Sequence, residues 1–544
     1  MPDMTANTTG QGRPPEQGAD RKLLAAPMWR AADVGRPLPN EPHAVSVCLP
    51  QWRHVVAYEE GDAELIERFF TGYPRFCCHR YQQQLFTAGE RFAGADEAAL
   101  VFPSPASAAR CAAFLHDRGI GGARAVEWPD AGFGVALFPR DAYRTARLYW
   151  RYCGEVIGSR RAAGVLNALG VPGVAADDTA PDEGARARAE VRDRLAALSG
   201  TGDANVFLFP SGMAAMAAVH RALTAMRPGA ATVQCDFPYV DVFRVQQAFG
   251  SGAHFHLWRD EADGLELRRR IESTPLAAIY TEVPSNPLLR CVDLPQLHAW
   301  AAAAGVPLVA DDTIGTAANL DLLPHADVVT TSLTKYFSGA GNVMAGCAIV
   351  NPDGPRAGAL SAALAVAERE SGGLADGDAV VLERNSRDFV ARMRRVNVTT
   401  AALVDRLRRH RGLTIHYPDM IPGSSCRRLT RERLPATTVV GGGDALAGSG
   451  DSPGGGGLFS IVFDDPGRAP RFFDALRVSK GPSLGTNFTL ACPYTLLAHY
   501  EELDWAAQCG VAAHLVRVSV GLEDADDLGR RFEEALEIAR QGEC

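Results

Sequence analysis

A lysine set directly after a short apolar strand can serve as a nucleophilic amine, and Ser332-Leu333-Thr334-Lys335-Tyr336 holds one. Open α/β sheets bind ligands beyond the carboxyl ends of their strands. Partial burial there lowers a lysine pKa and suits it to Schiff-base chemistry with a carbonyl. Taken alone, the spacing also describes an ordinary surface lysine. The hydroxyls of Ser332 and Thr334 flank it and can bind a phosphate. Three more fragments carry complementary chemistry. Ala310-Asp311-Asp312-Thr313 closes another apolar run with a carboxylate suited to a protonated ring nitrogen, Asp311 being the choice and Thr313 its neighbour. An Asp pair that merely ends a strand is common. Phe209-Pro210-Ser211-Gly212-Met213-Ala214-Ala215 passes from a strand through small residues into an Ala-rich helix. The first N–H groups and positive dipole end of such a helix suit a phosphate, and Gly212 lets backbone approach it closely. Asp236-Phe237-Pro238-Tyr239 supplies a ring that can stack on an aromatic ligand with its hydroxyl toward the reacting atoms. A packed loop aromatic would look the same.

The elements around these fragments give them a common frame. Strand-like runs at Asn205–Phe209, Ala231–Cys235, His254–Trp258, Ala277–Thr281, Pro307–Ala310 and Val328–Thr331 alternate with helical ones such as Ala214–Ala225 and Val240–Phe249. Continuous apolar strands alternating with helices imply a mostly parallel sheet covered on both faces. Each chemical fragment then follows a strand of one sheet. An amine, a ring-nitrogen carboxylate, a phosphate cradle and a stacking ring together match pyridoxal 5'-phosphate (PLP), whose protonated ring acts as an electron sink.

The rest of the chain is less pointed. Residues 1–40 are rich in Gly, Pro, Asn, Thr and charge and read as a disordered tail. Residues 41–150 mix strand-like runs (Ala44–Leu49, Leu100–Phe102, Gly134–Phe138) with helices, an α+β extension of unassigned role. Residues 151–380 form the PLP-binding large domain, opening on a helical stretch broken near Gly170–Glu183. Residues 381–544 form a smaller α+β domain with a long helical run Leu382–Arg409, a Gly-rich loop at 441–457, strands Leu458–Phe463 and Leu515–Val520, and a last helix Asp526–Arg540. The 544 residues can bury large cores without disulfides or metals. A net charge of -9, spread along the chain, argues against a nucleic-acid partner. The twelve cysteines include no CxxC pair, so no zinc knuckle is expected and a reducing compartment is. No signal-peptide pattern and no run of about 18 apolar residues is present, so a cytoplasmic protein without a membrane span is expected.

Tyr280-Thr281-Glu282-Val283-Pro284-Ser285-Asn286-Pro287, with the Asp311 and Lys335 fragments, resembles the Cys/Met-metabolism PLP-dependent (trans-sulfuration) family, of fold type I, aspartate aminotransferase-like. Lys480-Gly481-Pro482-Ser483-Leu484-Gly485-Thr486-Asn487-Phe488, Cys492-Pro493-Tyr494, Leu515–Glu523 and Ala44–Arg80 make the resemblance closer to fungal-type cystathionine γ-synthases, over roughly residues 44–540. The resemblance implies that Asn286 bonds the cofactor's ring hydroxyl, that Gly212, Met213, Ser332 and Thr334 hold its phosphate, that Arg517 pairs with the substrate α-carboxylate, and that Ser483 sits beside it. The family's Tyr-x-Arg pair, which reaches into a neighbouring subunit's phosphate site, is missing from Gly170–Glu183. Tyr73-Pro74-Arg75 has the spacing far upstream and is carried as a candidate. Asn342 stands where the family usually has Asp.

The resemblance further implies a transferase acting on amino-acid substrates. The γ-acyloxy group of an O-acyl-L-homoserine leaves, L-cysteine adds at Cγ, and L-cystathionine forms, as in methionine biosynthesis. Lys335 moves the protons at Cα and Cβ, with help from Tyr239. A homotetramer, a dimer of dimers, is the implied assembly. Alternatives left open are a carbon or amine nucleophile in specialised biosynthesis, a C–S lyase, and a catalytically idle binding homologue.

Overall fold

The computed structural model describes residues 19–174, 179–418, 420, 423–431 and 454–541. The Gly-rich stretch 441–457 therefore lies outside the described residues up to position 453.

Local sequence sets the elements. In the N-terminal third, strands β1 (Glu97–Phe102), β2 (Arg124–Trp128) and β3 (Phe133–Pro139) form an antiparallel sheet of order β1-β3-β2. Helices Arg80–Gly89, Pro105–His116 and Tyr143–Cys153 cover it through Leu85, Phe86, Cys111, Leu115, Tyr149 and Trp150. The middle third carries β4 (Val206–Phe209), β5 (Ala231–Cys235), β6 (Ala253–His256), β7 (Leu276–Glu282), β8 (Leu308–Asp311), β9 (Val328–Ser332) and β10 (Gly346–Val350), in the order β4-β10-β9-β8-β7-β5-β6. Its apolar strands feed two cores. Ile279 of β7 joins one hydrophobic cluster while its neighbours Ala278 and Tyr280 join another; Val206 and Leu208 of β4 divide from Phe207 and Phe209 in the same way. Alternate side chains point to opposite faces, so a strand apolar throughout must be covered on both sides. β5 to β9 pair in parallel, whereas β10 runs antiparallel to both β9 and β4. The carboxyl ends of β4, β5, β7, β8 and β9 consequently share one edge.

The C-terminal part holds β11 (Leu413–His416), β12 (Leu458–Phe463), β13 (Ser479–Lys480), β14 (Leu490–Pro493) and β15 (Val516–Ser519), ordered β11-β12-β15-β14-β13. This sheet packs on helices Phe389–Leu407, Arg468–Ala475 and Ala525–Arg540 through Leu403, Phe459, Phe472 and Phe532. The fold is thus the expected fold type I arrangement: a large domain built on a mostly parallel sheet, plus a smaller α+β domain.

Three local expectations need correction. Residues 19–40 are ordered: a helix spans Ala19–Ala25, and Leu23, Met28 and Leu38 are buried against Phe488 and Leu490. A few apolar anchors outweigh the polar average of that stretch. Ala44–Leu49 is buried but joins no sheet, making an isolated bridge from Val47 to Pro37 and loop hydrogen bonds from Val45 N to Gly341 O and Leu49 N to Lys480 O. The run Leu382–Arg409 is two helices, Asp376–Ser386 and Phe389–Leu407. At their junction buried Arg392 donates to the carbonyls of Asn385 (3.1 Å), Phe337 (2.9 Å) and Tyr336 (3.0 Å) and to Asp388 (2.7 Å).

Candidate active site

Every strand end on the shared edge contributes to one cleft of about 830 Å³. Lys335 projects into it three residues after β9. Its Nζ donates to Ser483 Oγ (3.0 Å) and lies 4.3 Å from the centroid of the Tyr73 ring. Burial, and next the Arg517 guanidinium, lower its pKa to about 7. A buried ammonium facing another cation is unfavourable, so the neutral nucleophilic amine is favoured.

Asp311 ends β8. Its Oδ1 accepts from Thr313 N (2.8 Å), and the Thr313 hydroxyl accepts from Ser332 N (2.9 Å), tying the ends of β8 and β9 together. Burial pushes the Asp311 carboxyl up, opposed by hydrogen bonds from Thr313. Asp312, below it, bonds the Thr331 hydroxyl, and burial raises it to about 7. At the end of β7, Glu282 accepts from Tyr239 N (3.0 Å), and burial reinforced by Asp311 pushes its carboxyl well above the ordinary carboxylate range.

The phosphate-type turn is built as its residue types require. Ser211 caps helix Gly212–Met226, accepting from Ala214 N (3.1 Å) and donating to Gly154 O (2.7 Å). A Cβ on Gly212 would lie 2.8 Å from Ser332 Cβ, so the glycine is a packing necessity. Gly212, Met213 and Ser332 all face the cleft. Thr334 does not: its hydroxyl exchanges hydrogen bonds with Ala345 O (3.3 Å) and Ala345 N (3.1 Å), against the expectation that it would hold phosphate.

On the opposite wall, Arg517 of β15 donates to Pro482 O and Ser483 O (both 3.1 Å) and to Asn286 Oδ1 (3.3 Å), with its guanidinium 4.6 Å from the Tyr494 ring centroid. Asn286 donates in turn to Tyr494 Oη (3.1 Å). The planar fork is therefore held in one orientation beside Lys335, as a carboxylate receptor needs. Tyr239 lines the cleft, and its hydroxyl donates to Asp241 Oδ2 (3.3 Å). Burial and the Asp241 charge keep that hydroxyl protonated. Tyr73 and Arg75 also line the cleft, brought in from the N-terminal extension of the same chain.

Sequence reasoning assigned no role to Glu282, Asp241 or Tyr494. Glu282 and Tyr494 stand inside quoted motifs, and Asp241 is two residues past Tyr239; each was legible as a residue but not as a partner.

The residues fit PLP. Ser332 Oγ, beside the Tyr73 hydroxyl, is buried without a well-formed hydrogen bond, leaving an acceptor or donor for a ligand oxygen. Asp311 is offset by hydrogen bonds rather than by a cation, so a protonated ring nitrogen would supply the positive charge it lacks. Fold and cleft define a PLP-dependent enzyme with a lysine at the carboxyl edge of an α/β sheet.

Comparison with known proteins specifies the class. Residues 183–429 match the Cys/Met metabolism PLP-dependent enzyme family, and residues 81–158 match the N-terminal domain of fungal trans-sulfuration enzymes. A cystathionine gamma-synthase-like enzyme of Amanita muscaria is 34% identical, covering 94% of this chain and 99% of that one. The cystathionine gamma-synthase of Neurospora crassa is 33% identical, covering 94% and 99%. A crystal structure of cystathionine gamma synthase from Xanthomonas oryzae pv. oryzae, in complex with aminoacrylate and cysteine, superposes with a TM-score of 0.55 at 22% identity, over 68% of this chain and 90% of that one. The chain belongs to the Cys/Met metabolism PLP-dependent enzyme family, with the fungal type of N-terminal domain. Among the described residues no helix is long and apolar enough to cross a membrane.

Proposed function

We propose that this enzyme replaces the γ-substituent of an O-acyl-L-homoserine, with L-cysteine as nucleophile and L-cystathionine as product, within methionine and trans-sulfuration metabolism. The observation that carries the reading is the pairing of the buried Lys335 amine, its pKa lowered to about 7, with the fixed Arg517 fork in one cleft, with Ser483 bridging them. Full-length similarity to a fungal cystathionine gamma-synthase supports the choice of reaction.

When bound, PLP supplies an electron sink that makes the substrate's Cα and Cβ protons acidic. Arg517 binds the α-carboxylate and orients Cα toward Lys335. Lys335 Nζ takes the Cα proton and handles the proton at Cβ as general base and acid. Asp311 would keep the nitrogen of a bound ring protonated, Asn286 would bond the ring hydroxyl, and the Gly212 and Met213 N–H groups with Ser332 would hold the phosphate. Tyr239 would supply a stacking ring, its hydroxyl steered by Asp241. The assembly belonging to this reading is a homo-oligomer.

Purified, PLP-loaded protein given O-acetyl-L-homoserine is expected to form cystathionine, by mass spectrometry, when cysteine is present. Release of only 2-oxobutyrate and ammonia with cysteine present would overturn replacement by cysteine and turn the search to another nucleophile or to a lyase. Lys335→Ala with full turnover would overturn the role of Lys335.

A further inference from the structure

We infer that Tyr494 is a positioning residue for two receptors at once: the face of its ring holds the Arg517 fork that takes the substrate α-carboxylate, and its hydroxyl holds the Asn286 amide that takes the ring hydroxyl of PLP. This deepens the function proposed above and rests on it, since Arg517 and Asn286 have those tasks only if PLP and an amino acid share the cleft.

The fold brings the three residues together from distant parts of the chain. β14 and β15 pair antiparallel, with Cys492 opposite Arg517 and Pro493 opposite Val516. Tyr494 follows at once, as the first residue of the helix Tyr494–His499, and so emerges beside Arg517. Asn286 stands four residues past the end of β7. All three side chains are buried, and all three line the cleft.

The ring acts on Arg517. The guanidinium lies 4.6 Å from the ring centroid. Arg517 also donates to Pro482 O, Ser483 O and Asn286 Oδ1, three neutral oxygens. Dipoles and an aromatic face hold a cation in place without cancelling its charge. A fixed carboxylate partner would hold it as firmly but would compete with the substrate. The arrangement therefore suits a guanidinium whose charge must stay available to an incoming carboxylate.

The hydroxyl acts on Asn286. A guanidinium only donates, so the amide atom facing Arg517 is Oδ1, and Nδ2 faces Tyr494. Tyr494 Oη accepts from Nδ2 at 3.1 Å. With Oδ1 bound to Arg517 and one N–H bound to Tyr494, the plane of the amide is fixed. Its second N–H is then aimed in one direction only, and that donor is the one the ring hydroxyl of PLP would take. Burial, opposed by Arg517, pushes the Tyr494 phenol up, so the acceptor stays a neutral hydroxyl. A tyrosine that merely packed would affect folding and neither receptor.

The test compares full-length, PLP-loaded Tyr494→Phe, which keeps the ring, with Tyr494→Leu, which removes both ring and hydroxyl. Two ligands are titrated by the change in visible absorbance: L-norvaline, which carries an α-carboxylate, and butylamine, the same amine without it. Tyr494→Leu is expected to weaken L-norvaline by about tenfold, as loss of a desolvated cation–π contact should, while butylamine changes by less than about twofold. Tyr494→Phe is expected to keep the ratio of the two ligands within about twofold of the natural enzyme, because the ring remains. In that variant the pH midpoint of the lysine-linked absorbance should rise by about half a unit or more, because a loosened Asn286 stabilises the ionised ring oxygen less. Equal weakening of both ligands in Tyr494→Leu, or an unmoved midpoint in Tyr494→Phe, would overturn the proposal. Should Tyr494→Leu fail to fold, the midpoint in Tyr494→Phe decides alone. The underlying reading fails separately: Arg517→Met with the natural ratio of the two ligands removes the carboxylate receptor, and Lys335→Ala with the natural absorbance removes the PLP site, whatever Tyr494 does.

Discussion

Capture of PLP by the cofactor-free protein should follow the neutral fraction of Lys335, and removing the charge of Arg517 should move that dependence upward in pH. Burial first and Arg517 second bring this amine from 10.5 to about 7. A displacement of that size corresponds to roughly 5 kcal/mol of preference for the neutral form. Near pH 7 about half of Lys335 is then free amine, against about one part in 3000 for a solvated lysine. The rate of lysine-linked absorbance, followed by stopped flow from about pH 6 to about pH 10, is expected to rise through about 7 and level off above it. Arg517→Met removes the lesser cause, so its midpoint should rise but stay below 10.5, because burial remains. A natural-enzyme midpoint near that of a solvated lysine, or no upward movement in Arg517→Met, would refute the reasoning. Stability carries the same sign. Between about 7 and 10.5 the unfolded chain binds a proton that the folded chain has lost at Lys335, so folding gains stability as pH rises through that window. Lys335→Met should remove this part of the slope in urea unfolding of the cofactor-free protein.

Three other outcomes are expected. Asp311→Asn should lower product formation by about 10²-fold or more while leaving the lysine-linked absorbance in place, because ring protonation is lost and not Lys335. Gly212→Ala places a Cβ 2.8 Å from Ser332 Cβ; spreading of the turn should weaken PLP binding by about tenfold or more in fluorescence titration, a loss of at least ~1.4 kcal/mol. Buried Lys480 donates to the carbonyls of Pro50 (3.1 Å), Asp474 (3.2 Å) and Phe473. Lys480→Met leaves those acceptors unpaired and should cost about 1–3 kcal/mol, read as a lower Tm by calorimetry.

The sheet was the most legible part of the sequence because its strands are apolar on both faces. Ala231–Cys235 and Leu458–Phe463 coincide with the observed strands, and the other expected strands of the large sheet shift by a residue or two at their ends. β10 escaped notice because Gly346 and Ala348 dilute its apolar signal, and nothing local marks a strand as antiparallel. The break at Arg387-Asp388 is set by Arg392 reaching back to Asn385 O, a tertiary contact without local signature. At the site, Lys335, Asp311, Gly212 and Arg517 are each readable because a strand end or a turn restricts what they can do. The Arg75–Asp241 pair is not, since its partners are 166 positions apart and meet only through the folded extension.

The split of the cleft between two scaffolds bears on how such an enzyme can diversify. Lys335, Asp311 and the glycine turn are tied by backbone and hydroxyl hydrogen bonds of a single sheet, with β10 laced between the strands that carry the first and the last. The wall made by Ser483, Leu484, Tyr494 and Leu497 comes from a different part of the chain. Substitutions at Leu484 or Leu497 can therefore reshape that wall of the cleft without touching the hydrogen bonds that tie the ends of β8 and β9 together. A cleft built this way can change its shape on one wall while the groups on the other keep their places.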